Sequence, residues 1–202
     1  AKEANVKATF NNAEVGKTYS FEVALDDEVV NPYKSSTRKS FTFKAVRVKW
    51  NSLGKGQWID NFWYGFWDEI EIQQRDDKPE YYRVKSLYTD EVVTSSGSAL
   101  GTYKDYFVFK VSKDGYVTWD TPLCINTSYQ DTGIDILGHL PSQLSPDFAG
   151  DDAQSVATYD DEGNIQYLTI APYWYVGDLG GFGINNLYLA FPGYDLASEL
   201  GF

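Results

Sequence analysis

The side chains that most often do chemistry have few companions in this sequence. There is one His, His139, and one Cys, Cys124. A zinc site built on several imidazoles or thiolates is therefore closed off. A Ser-His-Asp triad would have to use His139, which lies in a Gly138-His139-Leu140-Pro141 stretch, and no G-x-S-x-G occurs. Cys124 sits in the apolar run Leu123-Cys124-Ile125 and reads as a small buried residue rather than a reactive thiol. Acids are abundant, 29 in all. Two carboxylates about 5–10 Å apart suffice for glycoside hydrolysis, so abundance alone selects nothing. Asp60, Asp68 and Glu69 stand in the most aromatic segment and are the acids to inspect first. The groups Asp147, Asp151, Asp152 and Asp160, Asp161, Glu162 lack the D-x-D-x-D-G spacing of a calcium loop and read as solvated loops. Gly177-Asp-Leu-Gly-Gly-Phe-Gly183 is not followed by Lys-Ser/Thr, and Asp178 opposes phosphate, so it reads as a turn-rich loop. No cofactor and no metal are expected.

The aromatic residues are a stronger signal, with 16 Tyr, 12 Phe and 6 Trp in 202 residues. Trp58, Phe62, Trp63, Tyr64, Phe66 and Trp67 crowd one segment, and Tyr173-Trp174-Tyr175 another. Alternation along a strand sends neighbours to opposite faces, so one core face cannot take them all. Some must meet a second module, a partner or a ligand. Flat rings beside acids and amides suit sugars, the ring stacking on C–H faces and the polar groups bonding hydroxyls. The candidate ligand-binding set is Trp58, Trp63, Trp67, Asp60, Asn61, Tyr173 and Trp174. The competing reading is packing between modules.

The elements that must hold these residues are strands. Tyr19–Leu25 alternates with period two, as do Glu69–Ile72, Tyr82–Lys85, Phe107–Val111 and Leu187–Phe191. Phe41–Ala45 runs into Val46–Trp50 with a flip of phase, for which a bulge is expected. Asp114-Gly115 and Asp161-Glu-Gly-Asn164 mark hairpins. Gly54 and Gly56 around Lys55 suggest a tight turn with Trp50 and Trp58 paired across it. Asp60-Asn61 can cap the next turn. Helix signals are few: one turn within Ser142–Phe148 and a short helix over Tyr194–Leu200 ending at Gly201. The expected fold class is all-β: two packed antiparallel β-sandwich-like modules with very little helix, residues 1–90 and 91–202. The polar run from Thr94 would be the linker, or a loop inside one larger sandwich.

Net charge is -12. That field repels phosphate backbones and anionic leaflets, so nucleic acid is not an expected partner. No run approaches the ~20 apolar residues of a membrane helix.

Trp50-Asn-Ser-Leu-Gly-Lys-Gly-Gln-Trp58-Ile-Asp60, then Asp68-Glu-Ile-Glu-Ile-Gln-Gln74, then Glu80-Tyr-Tyr-Arg-Val84 resemble a module of surface and periplasmic lipoproteins of the Bacteroidetes. Ser86-Leu87-Tyr88 stands where that family often has Asn-Pro-Tyr. Tyr106–Trp119, Gly138–Pro141 and Gly163–Gly183 resemble its C-terminal part. The resemblance implies export to the outer-membrane surface or periplasm, a lipid anchor upstream of this chain, and a β-rich fold. Its motifs are turn and core patterns, silent on chemistry. The expected function is therefore non-enzymatic binding of an extracellular ligand, a glycan first. The alternatives are a structural or adhesive subunit engaging another surface protein, and a glycosidase using paired carboxylates.

Overall fold

The computed structural model describes residues 13–23, 39–85, 87–101 and 106–202. The chain divides into compact units at residues 1–48 and 49–202. In the first, β1 (Thr18–Val23) pairs antiparallel with β2 (Lys39–Lys44). Tyr19 stacks on Phe43 at 5.5 Å and Phe21 on Phe41 at 5.3 Å, which is what alternation places on one face of a ribbon. The expected bulge at Ala45–Val46 is absent, because β2 ends at Lys44 and residues 45–49 are irregular. Residues 24–25 of the expected first strand lie outside the described residues.

The second unit is built on an antiparallel sheet of eight strands. These are β3 (Trp50–Asp60), β4 (Phe66–Arg75), β5 (Tyr81–Lys85), β6 (Tyr106–Val111), β7 (Val117–Thr118), β10 (Val156–Tyr159), β11 (Ile165–Ile170) and β14 (Leu187–Ala190). From β3 to β7, and from β10 through β11 to β14, each strand pairs with the next in chain order, and β14 pairs back onto β3. The remaining seam closes between β7 and β10. Tyr116 bridges Val156, Val117 N donates to Ser155 O at 2.8 Å, and Ala157 N donates to Gly115 O at 2.8 Å. The result is an up-and-down barrel. Eight strands leave an interior that side chains can fill. Trp58, Ile72, Val84, Phe109, Leu168, Ile170, Leu187 and Leu189 do so, all buried. On the outside, α3 (Leu196–Leu200) covers Ile59 and Ala190 with Leu196 and Ala197. It ends at Gly201 in a left-handed cap, as its sequence implies.

Two insertions build a second, four-stranded sheet. β8 (Leu123–Ser128) and β9 (Asp135–His139) lie between β7 and β10, while β12 (Tyr173–Tyr175) and β13 (Gly181–Ile184) lie between β11 and β14. Its order is β13-β12-β9-β8. Both insertions leave and return at the barrel end where β3 stops and β4 starts. Leu123, Ile125, Ile136, Trp174 and Val176 join the barrel residues in one core. Trp119 Nε1 donates to Gly138 O at 3.1 Å and ties the two sheets together.

The all-β class holds, with its arrangement now specific: a nearly closed eight-stranded barrel filled by its own side chains and joined by a second sheet. The boundary expected at 90/91 falls inside the barrel, whose strands come from both sides of it. The supposed linker contains α1 (Asp90–Ser95), capped by the Thr89 hydroxyl. Gly54 and Gly56 make no turn; they lie within β3, where Trp50 faces Arg75 and Trp58 faces Asp68. Small residues are needed there for another reason: a Cβ on Gly56 would run into the Ala190 carbonyl oxygen of β14. Around Ser142–Phe148 the helical segment is longer than one turn, with α2 (Pro141–Leu144) followed by a 3-10 segment, Pro146–Gln154. The glycine-rich 177–183 stretch, expected as a turn-rich loop, is a single 3-10 turn that runs into β13. Among the described residues no helix is long and apolar enough to cross a membrane.

Candidate functional site

The loop from Asn61 to Gly65, between β3 and β4, is fixed by one carboxylate. Asp60 is fully buried, and its Oδ1 accepts from Phe62 N and Trp63 N at 2.8 Å each, its Oδ2 from Tyr64 N at 3.1 Å. This is the capping that the Asp-Asn pair foretold. Burial pushes the Asp60 carboxyl above its ordinary range, and the three backbone N–H groups pull against that shift. Tyr88 packs beside it, 3% exposed, its phenol raised well above the usual value by burial and then by the Asp60 charge.

So held, Trp63 packs edge-on against Trp174 of β12 at 5.4 Å and Phe182 of β13 at 5.5 Å. Phe182 reaches on to Tyr129 at 5.5 Å. Phe62 and Phe182 remain 40% and 42% exposed. Beside this cluster is a cleft of about 330 Å³ lined by Trp63, Tyr64, Ser98, Thr127, Ser128 and Tyr129, among others. The Tyr64 hydroxyl hydrogen-bonds Thr127 Oγ1 within this lining. Its wall is strained: Asn126 has φ 55° and Gln130 φ 45°, left-handed conformations rare outside glycine. The β8–β9 register breaks over the same stretch.

Polar satisfaction is also incomplete here and nowhere else among the described buried side chains. Trp63 Nε1, Trp174 Nε1 and Asn126 Oδ1 are buried without a hydrogen-bond partner, while Tyr88 Oη lies close to Trp58 Nε1 and the Asp60 carboxylate without ideal hydrogen-bond geometry to either. They form one neighbourhood: Trp58 meets Tyr88 at 6.0 Å, Tyr88 meets Tyr64 at 5.8 Å, and Asn126 Nδ2 donates to Tyr88 O at 3.2 Å. Most buried polar groups in folded proteins are paired, so such a concentration marks a place shaped by something other than stability.

The residues singled out from sequence divide as follows. Trp63 and Trp174 are brought together, and Asp60 holds the loop. Trp58 lies behind, fully buried in the barrel. Trp67 is 42% exposed but sits outside the barrel, opposite Ile59, on the other face of β4 from the core. Asn61 is exposed. Tyr173 is half-buried and stacks on Phe148 at 5.6 Å, away from its neighbour Trp174. Tyr64, Thr127, Ser128, Tyr129 and Phe182 were not singled out. Phe182 had a signal, an aromatic inside a glycine-rich run, whereas Tyr129 had none.

The acids considered for hydrolysis do not converge. Asp60 serves the loop, Glu69 is paired with Lys55 at 2.9 Å, and Asp68 is its strand neighbour on the opposite face. The acidic groups cap turns instead: Asp152 Oδ1 accepts from Ser142 N, and Asp160 accepts from Glu162 N and Asn164 N. No cluster of three potential metal ligands occurs among the described residues. Burial lowers the His139 pKa and raises the Cys124 thiol to about 11. The opposite barrel end carries a larger, shallow cleft of about 870 Å³, where Leu53, Tyr82, Tyr159, Ile165 and Phe191 meet Gln74 and Asn164. No family model, no curated protein and no solved structure matches this chain.

Proposed function

We propose that this is a non-enzymatic binding protein of the bacterial cell envelope that takes a short saccharide in the aromatic cleft between the β3–β4 loop and the second sheet. The observation that carries the reading is the half-buried Trp63 at the cleft wall, edge-on to Phe182, which in turn meets Tyr129, with Tyr64, Thr127 and Ser128 lining the same cleft. Rings supply C–H stacking surface, and hydroxyls exchange hydrogen bonds with sugar hydroxyls. The cleft is at the small end of ligand sites, suited to a short saccharide. An acyl chain is a poor fit to the barrel itself, because Trp58, Phe109 and their neighbours fill it. Export and lipid anchoring rest on the resemblance to Bacteroidetes lipoproteins.

A glycan array followed by calorimetric titration of the best binder tests this. Trp63→Ala should weaken that binding about tenfold or more, the loss of roughly 1.4 kcal/mol or more. Trp67→Ala, outside the barrel, should leave it unchanged. Equal losses in both variants, or an array without binders, would overturn the proposal.

A further inference from the structure

The outer face of β5 and β6 gathers cations that the rest of the molecule leaves unneutralised. Tyr82, Val84, Phe107, Phe109 and Val111 fill the barrel, so alternation turns Tyr81, Arg83, Lys85, Tyr106, Val108 and Lys110 outward. The Arg83 guanidinium is held between two rings, its Cζ 4.6 Å from the Trp50 centroid and 4.0 Å from that of Tyr106. Its Nε donates to Gln73 Oε1 at 2.7 Å. Lys85 Nζ lies 5.4 Å from the Tyr106 ring, and Lys110 and Lys78 lie 5.8 and 5.7 Å from that of Tyr81. Elsewhere Lys17 pairs with Glu14, Lys49 with Asp76, Lys55 with Glu69 and Arg75 with Asp77. Among the described residues, Lys78, Arg83, Lys85 and Lys110 have no carboxylate within ion-pair distance. The bordering acids are Glu71, which accepts from Gln73 Nε2 at 3.1 Å, Glu80, and Asp77, which is paired with Arg75 and whose carboxylate the neighbouring Lys78 charge also favours. All this stands on a chain of net charge -12.

We propose that this face binds a linear polysaccharide carrying carboxylate groups, at a site separate from the aromatic cleft and independent of it. The rings on this face are engaged by cations, so what it offers outward is ammonium and guanidinium N–H groups beside the Tyr81 and Tyr106 hydroxyls. Cationic donors without an ion-pair partner select anions. Arg83 and Lys85 are two residues apart on one strand, about 7 Å, and Lys110 on the next strand stands opposite Tyr81, diagonal to Arg83 at about 8 Å and farther from Lys85. That array fits charges repeated along a polymer. A protein partner would want a desolvated apolar centre, and Val108 alone does not make one. A single-stranded nucleic acid would want open ring faces on which to stack its bases, and the Arg83 guanidinium already lies against both Trp50 and Tyr106.

The probe is an oligogalacturonate, with its methyl ester as the uncharged control of the same backbone. The free acid should bind with a Kd that rises with NaCl, and the ester about tenfold more weakly or worse. Lys85→Ala/Lys110→Ala, two surface changes checked by thermal melt, should weaken the acid by about tenfold. Trp63→Ala should not change it, which separates this site from the cleft. The proposal is overturned if the acid fails to bind at low salt, if ester and acid bind alike, if the lysine variant binds like the parent, or if polyglutamate or single-stranded DNA binds more tightly than oligogalacturonate.

Discussion

Asp60 is one carboxylate on which a whole loop depends. Replacing it with Ala strands three backbone N–H groups in a partly buried loop, and we expect a loss of about 2–4 kcal/mol in urea denaturation. Its pH signature follows from burial. The native carboxyl holds its proton to higher pH than the unfolded one, so stability falls as pH rises from the unfolded value near 3.8 through the raised native value, then levels. Asp60→Asn should flatten that slope. His139 has the opposite sign. Burial lowers its native pKa below 6.5, so the unfolded chain takes the proton first, and stability falls as pH drops from 6.5 through the native value. His139→Gln should remove this component from melts recorded across the same range. A His139 variant with an unchanged profile would contradict the assignment.

Strands β3 and β14 form the seam that returns the barrel to its start, and only three residue pairs hold it: Tyr188 with Ile59, Leu189 with Trp58, Ala190 with Gln57. Gly56 sits beside it without room for a side chain. Gly56→Ala should therefore cost ~1–3 kcal/mol or more by overpacking, measured by thermal or urea unfolding, although alanine suits a strand no worse than glycine. This is where sequence reading failed most clearly. Glycines flanking a lysine look like a turn because local patterns carry turn chemistry, while the approach of a strand more than a hundred residues away leaves no local mark. The same asymmetry runs through the site. Asp60 capping its own loop was legible because donor and acceptor are neighbours in sequence. Strand alternation at Phe107–Val111 and Leu187–Phe191 was legible for the same reason. The meeting of Trp63 with Phe182 and Tyr129 was not, since it depends on how two insertions fold over one barrel end.

At the scale of the molecule, the core of the second unit is complete within residues 58–197. We expect a chain of residues 49–202 to fold without the first unit, with a far-UV dichroism spectrum of strand type and one cooperative melt; a spectrum of unfolded chain would refute this. All-β character could be read from the sequence because period two is local, whereas barrel closure could not, because the β7–β10 seam consists of one bridge and two hydrogen bonds. Pairing in chain order has a further consequence for the time at which structure appears. Strands β3 to β5, and then β6 with β7, can zip hairpin by hairpin as the chain leaves the ribosome, each closing a short loop, with β6 joining β5 across the longer connection that carries α1. β3 itself must wait with one edge open until β14, the last strand, is made. During that interval the nascent protein exposes a long strand with free N–H and C=O groups, a site for mispairing with other chains. Lys55 and Gln57, pointing outward from that edge, are the kind of polar residues that discourage it, so vectorial synthesis, as well as the finished structure, is a constraint on what β3 can be.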